Sequence, residues 1–190
     1  MYYHPWMYGP QYQYPLSAYT PMYDYGGQTD YGNIWYTASQ WNYPQQTMSI
    51  EPLRLKDYGG QPFVINIQQA SRQNNTYRTA LWTGKHLQVT LMSIKPGEDI
   101  GLEIHPAVDQ FLRIEQGQGI VQMGSTREHL DFVRNVHDND AILVPAGTWH
   151  NVTNTGNIPL RLYSIYAPPQ HPFGTVHPTK MDAMREEKDH

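Results

Sequence analysis

An all-β fold of antiparallel strands, closed as a sandwich or a barrel, is predicted by three features of this sequence. From about Ser49 onward the apolar residues fall in short runs, the intervals between runs are made of turn residues, and only two short stretches read as helix. Many short strands at near-regular spacing bury a face most simply by closing on each other.

Taken in order, the first strand is expected at "FVINI" (63–67), followed by a short helical turn near "QQASRQNN". "LQVTLMSI" (87–94), "IGLEIH" (100–105), "QFLRIE" (110–115), "GIVQM" (119–123) and "AILVPA" (141–146) follow, then a strand opening at His150, and "LRLYSIY" (160–166). "KPGED", "QGQG", "DND", "PAGT" and "NTGN" separate them, all of them turn chemistry. The charged end "PTKMDAMREEKDH" reads as a frayed surface helix over 180–188. These elements place the barrel at residues 47–178 and a charged tail at 179–190.

Residues 1–46 have another composition and are expected to form a separate arm. Up to Pro44 they hold eleven of the fifteen tyrosines, three tryptophans and no Lys or Arg, with almost no aliphatic side chains. Tyr interleaved with Gly, Pro, Gln and Ser builds no aliphatic core, and the spaced prolines forbid a long helix or a central strand. The arm is therefore expected to be disordered on its own and to self-associate through ring stacking. The alternative is an arm folded back over the barrel. Tyr-rich arms of this kind resemble those of Bacillus-type spore coat proteins, a likeness of composition that implies an assembly role.

At 190 residues with 39% apolar content, the chain has room for one ordinary domain. A net charge of −4, a pI near 6.1 and the lack of any Lys/Arg cluster give no footprint for nucleic acid or an anionic membrane. With neither a spanning apolar run nor a basic-then-apolar start, the expectation is a soluble, cytoplasmic protein, the spore coat being the alternative. The absence of cysteine excludes disulfides, thiolate ligands and a thiol nucleophile.

Two segments carry the chemistry. In "PGEDIGLEIHPAVDQFLRIEQG" (96–117), Glu103 and His105 interrupt an apolar alternation. On an extended chain Ile100, Leu102 and Ile104 share one side, while Gly101, Glu103 and His105 share the other. That polar side looks either into water or into a cavity where both groups converge. The second segment, "NDAILVPAGTWHNVTN" (139–154), is a strand, a Pro145-Ala146-Gly147 turn, and then His150 facing inward.

Together these segments resemble the paired motifs of the cupin superfamily. The first motif falls on Gly97, Glu103, His105, Gln110 and Gly117, the second on Asn139, Pro145, Gly147, His150 and Asn154, with family spacing throughout. Three positions depart from the pattern. Asn139 replaces a turn glycine, which is mild because Asn tolerates the left-handed conformation. Glu103 stands where the first His is usual, and Gln110 where Glu is usual. The resemblance implies a jelly-roll barrel with one divalent metal ion held by Glu103, His105, Gln110 and His150. A site of two His, one Glu and one Gln is similar to that of phosphomannose isomerases. The tail "IYAPPQHPFGTVHPTKMDA" (165–183) is similar to that of small bacterial single-domain cupins labelled mannose-6-phosphate isomerase-like.

Donor chemistry leaves the metal open among Mn, Fe, Ni and Zn: imidazole suits several, carboxylate suits Mn as well, and an amide oxygen selects little. One carboxylate against a divalent ion leaves a net charge of +1, which favours small oxyanion substrates and Lewis-acid chemistry. Two His and one carboxylate are equally the set of non-haem iron oxygenases. Three readings follow: a sugar-phosphate isomerase type of enzyme, a dioxygenase, or a non-catalytic module anchored by its arm. A homodimer is expected. Asp109 and Glu115 are expected at the rim, His86, His129 and His137 on the surface, and His171 and His177 in a strap over the barrel. Lys180 and Arg113 are candidates to contact an anionic substrate.

Overall fold

The computed structural model describes residues 52–186. The arm at 1–46, with the disorder and self-association expected of it, lies outside the described residues. Nine strands and two short helices occur among the described residues: α1 (Ile67–Gln73), β1 (Arg78–Thr83), β2 (Gln88–Ile94), β3 (Asp109–Gln116), β4 (Gly119–Gly124), β5 (Phe132–Val136), β6 (Ala141–Val144), β7 (Trp149–Asn154), β8 (Leu160–Ala167), β9 (Val176–His177) and α2 (Lys180–Glu186). They form a six-stranded sheet, β6-β3-β8-β2-β1-β9, and a three-stranded sheet, β5-β4-β7. Every strand pair is antiparallel. The all-β prediction and the short C-terminal helix are borne out.

Alternation in the strands separates two cores. Between the sheets lie Met92, Ile94, Leu112, Ile114, Val121, Val152, Leu160 and Leu162, all buried. On the outer face of the large sheet, Leu81 and Leu91 pack with Ala70 of α1, flanked by Leu53, Leu55, Ile65 and Ile67. Successive strand residues point to opposite faces, so one strand feeds both clusters: Leu91 outward, Met92 inward.

The second cluster explains a failed expectation. "FVINI" is not a strand: Asn66 caps α1 by accepting the Gln69 N–H at 3.0 Å, and the helix starts at Ile67. Phe63 stacks on Tyr58 at 4.0 Å and Val64 is exposed, so the run crosses the sheet as a cover. Sequence reading missed β1, β5 and β9. Strand β1 opens on an arginine, β5 is exposed at four of its five residues, and β9 has two residues, so none carries an alternating apolar signal.

Turn positions behave as their chemistry demands. Asn139 has φ 73° and donates its N–H to the Ile114 carbonyl at 2.8 Å, replacing glycine in the left-handed region as expected. At Gly117 (φ 97°) a Cβ would meet the Pro159 carbonyl oxygen at 3.1 Å, so that turn excludes a side chain. Glu115 departs from its expected rim position. An irregularity between Ile114 and Gln116 in the β3/β8 register leaves Glu115 only 2% exposed, with its carboxylate 3.6 Å from Arg113 Nε. Asp109 stays at the rim and accepts the Ala146 N–H at 2.8 Å. His86, His129 and His137 are exposed.

After β8 the chain crosses the barrel mouth as a strap. Gln88, fully buried on β2, holds it: its Nε2 donates to the His171 carbonyl at 2.9 Å and its Oε1 accepts the His171 N–H at 2.9 Å. Helix α2 then closes on the barrel. Thr179 and Asp182 cap each other's backbone N–H groups, Ala183 is buried, Lys180 forms an ion pair with Asp99, and the Glu186 carboxylate meets His177 Nε2. Gln88→Ala should cost about 2–4 kcal/mol, since it removes several buried hydrogen bonds at once. Urea unfolding measures that loss, and faster hydrogen exchange at the Gln170 and His171 amides locates it in the strap.

Candidate metal centre

Glu103 and His150 are joined by their backbones. Each donates its N–H to the other's carbonyl, at 3.0 and 2.9 Å, in an isolated antiparallel bridge. Residues paired in this way carry their side chains on the same face. The turn after β6 adds a second clamp, where the Gly147 N–H donates to the His105 carbonyl at 2.9 Å.

The segment around Glu103 is not the regular strand expected. Asp99 bridges Thr153 and Glu103 bridges His150, so the register slips by one residue between the two bridges, across Gly101 (φ 85°). The Asp99 carboxylate accepts the Gly101 N–H at 2.6 Å and holds the kink. The slip reverses the alternation. Ile100 is buried upstream of it, and His105 is buried downstream, although an unbroken strand would place them on opposite faces. Glu103 and His105 do share a side, as the spacing predicts.

Glu103, His105 and His150 each offer one donor atom, and these atoms lie within 4.8 Å of one another. Glu103 Oε1 is 3.4 Å from His105 Nε2 and 3.3 Å from His150 Nε2. Both Nε2 atoms are buried without a hydrogen bond of ordinary geometry. The His150 Nδ1 lies 2.9 Å from the Thr148 carbonyl, which leaves Nε2 to face the Glu103 carboxylate. Donors about 2.1 Å from an ion stand roughly 3.0–3.4 Å apart, which matches this spacing, so the residues fit a metal.

Burial by itself would raise the Glu103 carboxyl, but the His105 and His150 imidazoles and the charge of Arg78 outweigh it and hold the group at about 2. The carboxylate is thus ionised and ready as a ligand. Gln110 lies on the inner face of β3, 3% exposed; its Nε2 donates to Ser164 Oγ at 3.0 Å, and its Oε1 is buried without a partner. Tyr166, opposite Gln110 in the β3/β8 register, meets the His105 ring edge-on at 5.6 Å.

Above these groups is a cavity of 330 Å³, lined among others by Arg78, Glu103, His105, His171, His177 and Glu186. The strap histidines therefore form its wall as well as bridging the barrel. Lys180 and Arg113 are engaged elsewhere, with Asp99 and with Glu115 and Asn139. Sequence reading missed Arg78 and Tyr166. The available signal was weak: an arginine heading a run of strand-forming residues.

Residues 90–166 match the family described as Cupin domain, a span that holds the whole cluster. The chain belongs to the cupin superfamily. This cupin is 74% identical over 135 residues to YrkC of Bacillus subtilis (strain 168), covering 71% of this chain and 73% of YrkC. It is 41% identical over 117 residues to protein L612 of Acanthamoeba polyphaga mimivirus, covering 61% and 71%. The crystal structure of BH2720 from Bacillus halodurans is 65% identical, with a TM-score of 0.69, and aligns over 69% of this cupin and 99% of that chain. No helix among the described residues is long and apolar enough to cross a membrane.

His150→Ala should weaken divalent metal binding by more than about 100-fold, above the loss typical of residues that only orient ligands. Gln110→Ala, which removes a neutral amide, should cost about 10-fold. Protons and metal compete for the same imidazole nitrogens, so acidification from about pH 7.5 to about pH 5 should release the ion. Metal titration by calorimetry at both pH values checks all three outcomes; equal losses in the two variants would contradict the ligand assignment.

Proposed function

We propose that this cupin is a metal-dependent enzyme acting on a small oxyanion substrate by Lewis-acid chemistry of the isomerase type, with Glu103, His105, Gln110 and His150 as ligands to one divalent ion. The supporting observation is the convergence of two buried imidazole nitrogens on one ionised carboxylate, with Glu103 and His105 lining a cavity. The mixture of two His, one Glu and one Gln, similar to that of phosphomannose isomerases, favours the isomerase type over the dioxygenase. When bound, the ion supplies electrophilic pull on a substrate carbonyl or hydroxyl oxygen.

The protein's own groups do the rest. Glu103 contributes one negative charge, which leaves the loaded centre cationic and attractive to an oxyanion. The strap carries His171 and His177 over the site. Burial, followed by the charge of Arg78, pushes His171 down to about 3, so its imidazole is neutral near pH 7 and offers hydrogen bonding without charge.

Measured metal content combined with turnover on a panel of ketose and aldose phosphates and small hydroxy acids tests the reading; metal without turnover on any of them leaves a binding module. Gln110→Glu should tighten metal binding, because it adds a second carboxylate, and should lower the rate, because the ion's Lewis acidity falls with its net charge. Unchanged rate with unchanged affinity would place Gln110 outside the ligand set.

A second role is favoured by the arm's composition, eleven tyrosines with no Lys or Arg. We propose that the arm drives self-association or attachment to a larger assembly of spore coat type, through many weak ring contacts of about 0.5–1.5 kcal/mol each. Deleting residues 1–46 should leave the melting temperature and metal content of the barrel nearly unchanged while abolishing assemblies seen by light scattering. A truncated protein that melts many degrees lower would instead assign the arm to the barrel's own stability.

A further inference from the structure

We propose that Lys180 and Asp99 are a positioning pair for the metal centre: by pinning helix α2 onto the kink at Gly101, they hold the register in which Glu103 faces His105 and His150. Helix α2 supplies no ligand, yet it is thereby coupled to metal binding. The proposal rests on the metal-dependent reading above and adds the device that keeps its ligands in register.

The register at the kink decides whether the site exists. Asp99 bridges Thr153, and a chain running on from there without a slip would set Glu103 opposite Trp149 instead of His150. Neighbouring strand residues point to opposite faces, so that pairing would turn Glu103 away from the cluster. Two isolated bridges, not a continuous ladder, flank the slip. Asp99 is the node that holds it. Its carboxylate accepts the Gly101 N–H at 2.6 Å, engages the side chain of Asn151, next in sequence to His150, and pairs with Lys180 Nζ. The Lys180 stem lies over the same turn, where a Cβ on Gly101 (φ 85°) would meet Lys180 Cε at 3.9 Å.

A second tie runs from the helix to the kink. Tyr77 donates its N–H to the Pro178 carbonyl at 3.2 Å, just ahead of α2, and its hydroxyl to the Ile100 carbonyl at 2.8 Å, inside the kink. Tyr77, Ile100 and Ala183, the residue that α2 buries, belong to one core cluster. Helix and kink are thus held together by an ion pair, a bridging tyrosine and a shared core. At the other end of α2, Glu186 meets His177 Nε2, and both residues line the cavity with Glu103 and His105. Exposed ion pairs usually contribute little. Here both side chains are mostly covered, 27% and 33% exposed, and the carboxylate is already fixed by the Gly101 N–H, so little freedom is lost in pairing.

The full-length protein, Lys180→Met and Lys180→Arg are titrated with Co²⁺ by calorimetry and by the ion's visible spectrum, which report binding independently of any turnover. Amide hydrogen exchange of the wild type is measured with and without Co²⁺. The sign of the effect separates positioning from plain electrostatics. By charge alone, removing the Lys180 cation would tighten the binding of another cation nearby. Positioning predicts the reverse: Lys180→Met should bind Co²⁺ about 5-fold or more weakly, and Lys180→Arg, which keeps the charge, should fall between it and the wild type. Coupling is reciprocal, so Co²⁺ should slow exchange at the α2 amides of the wild type by a similar factor. Affinity unchanged or raised in Lys180→Met, or α2 exchange indifferent to Co²⁺, overturns the proposal. Should a variant fail to fold, the exchange of the wild type decides the matter. Failure of the wild type to take up Co²⁺ overturns the metal-dependent reading and this proposal with it, whereas Co²⁺ uptake without either effect overturns this proposal alone.

Discussion

The reciprocal backbone hydrogen bonds between Glu103 and His150 are the constraint on which the site depends. Two residues 47 positions apart exchange N–H and carbonyl groups, and their side chains are thereby obliged to stand together on the inner face. Everything nearby serves that bridge. The one-residue slip at Gly101 gives the approaching chain the parity it needs, Asp99 holds the slip, and Gly147 ties His105 beside the pair. The result is a cluster of one carboxylate and two imidazoles, positioned by backbone hydrogen bonds that do not involve the donor atoms themselves.

The six-stranded sheet separates stability from chemistry by its two faces. Its outer face packs on α1 and the covering segment at Leu53, Leu55, Ile65 and Ile67, an apolar layer that contains no candidate ligand. Its inner face carries both the apolar Met92, Ile94, Leu112 and Leu162 and the buried polar residues Arg78, Gln88, Thr90, Gln110, Ser164 and Tyr166. Buried polar groups of this number are expensive unless each has a partner or a ligand to serve. Gln88 has its partners in the strap, and Gln110 and Ser164 are hydrogen-bonded to each other.

Electrostatics follows the same division. Glu103 is ionised because two imidazoles and one guanidinium outweigh its burial, while His171, under the same guanidinium and burial together, is held neutral. The cavity therefore joins the carboxylates of Glu103 and Glu186, the neutral His171 imidazole and the Arg78 cation within one small volume.

The sequence by itself determined the fold class, the donor types and their spacing, and the left-handed turn at Asn139, because these are local properties: alternation along a strand, turn chemistry, and the number of residues between donors. The short helix near "QQASRQNN" was legible, whereas "FVINI" passed for a strand since β-branched residues in a covering segment look the same as those in a strand. Tertiary structure alone decided that Ile100 and His105 face the same interior, because a bulge that inverts alternation is invisible to a periodicity that assumes none. It also decided that Arg78, from a strand with no apolar signal, and His171, from a loop 93 residues later, share a cavity with the cluster. Such neighbours are made by strand pairing and strap closure, and nothing in the spacing of residues along a chain records which distant strands lie side by side.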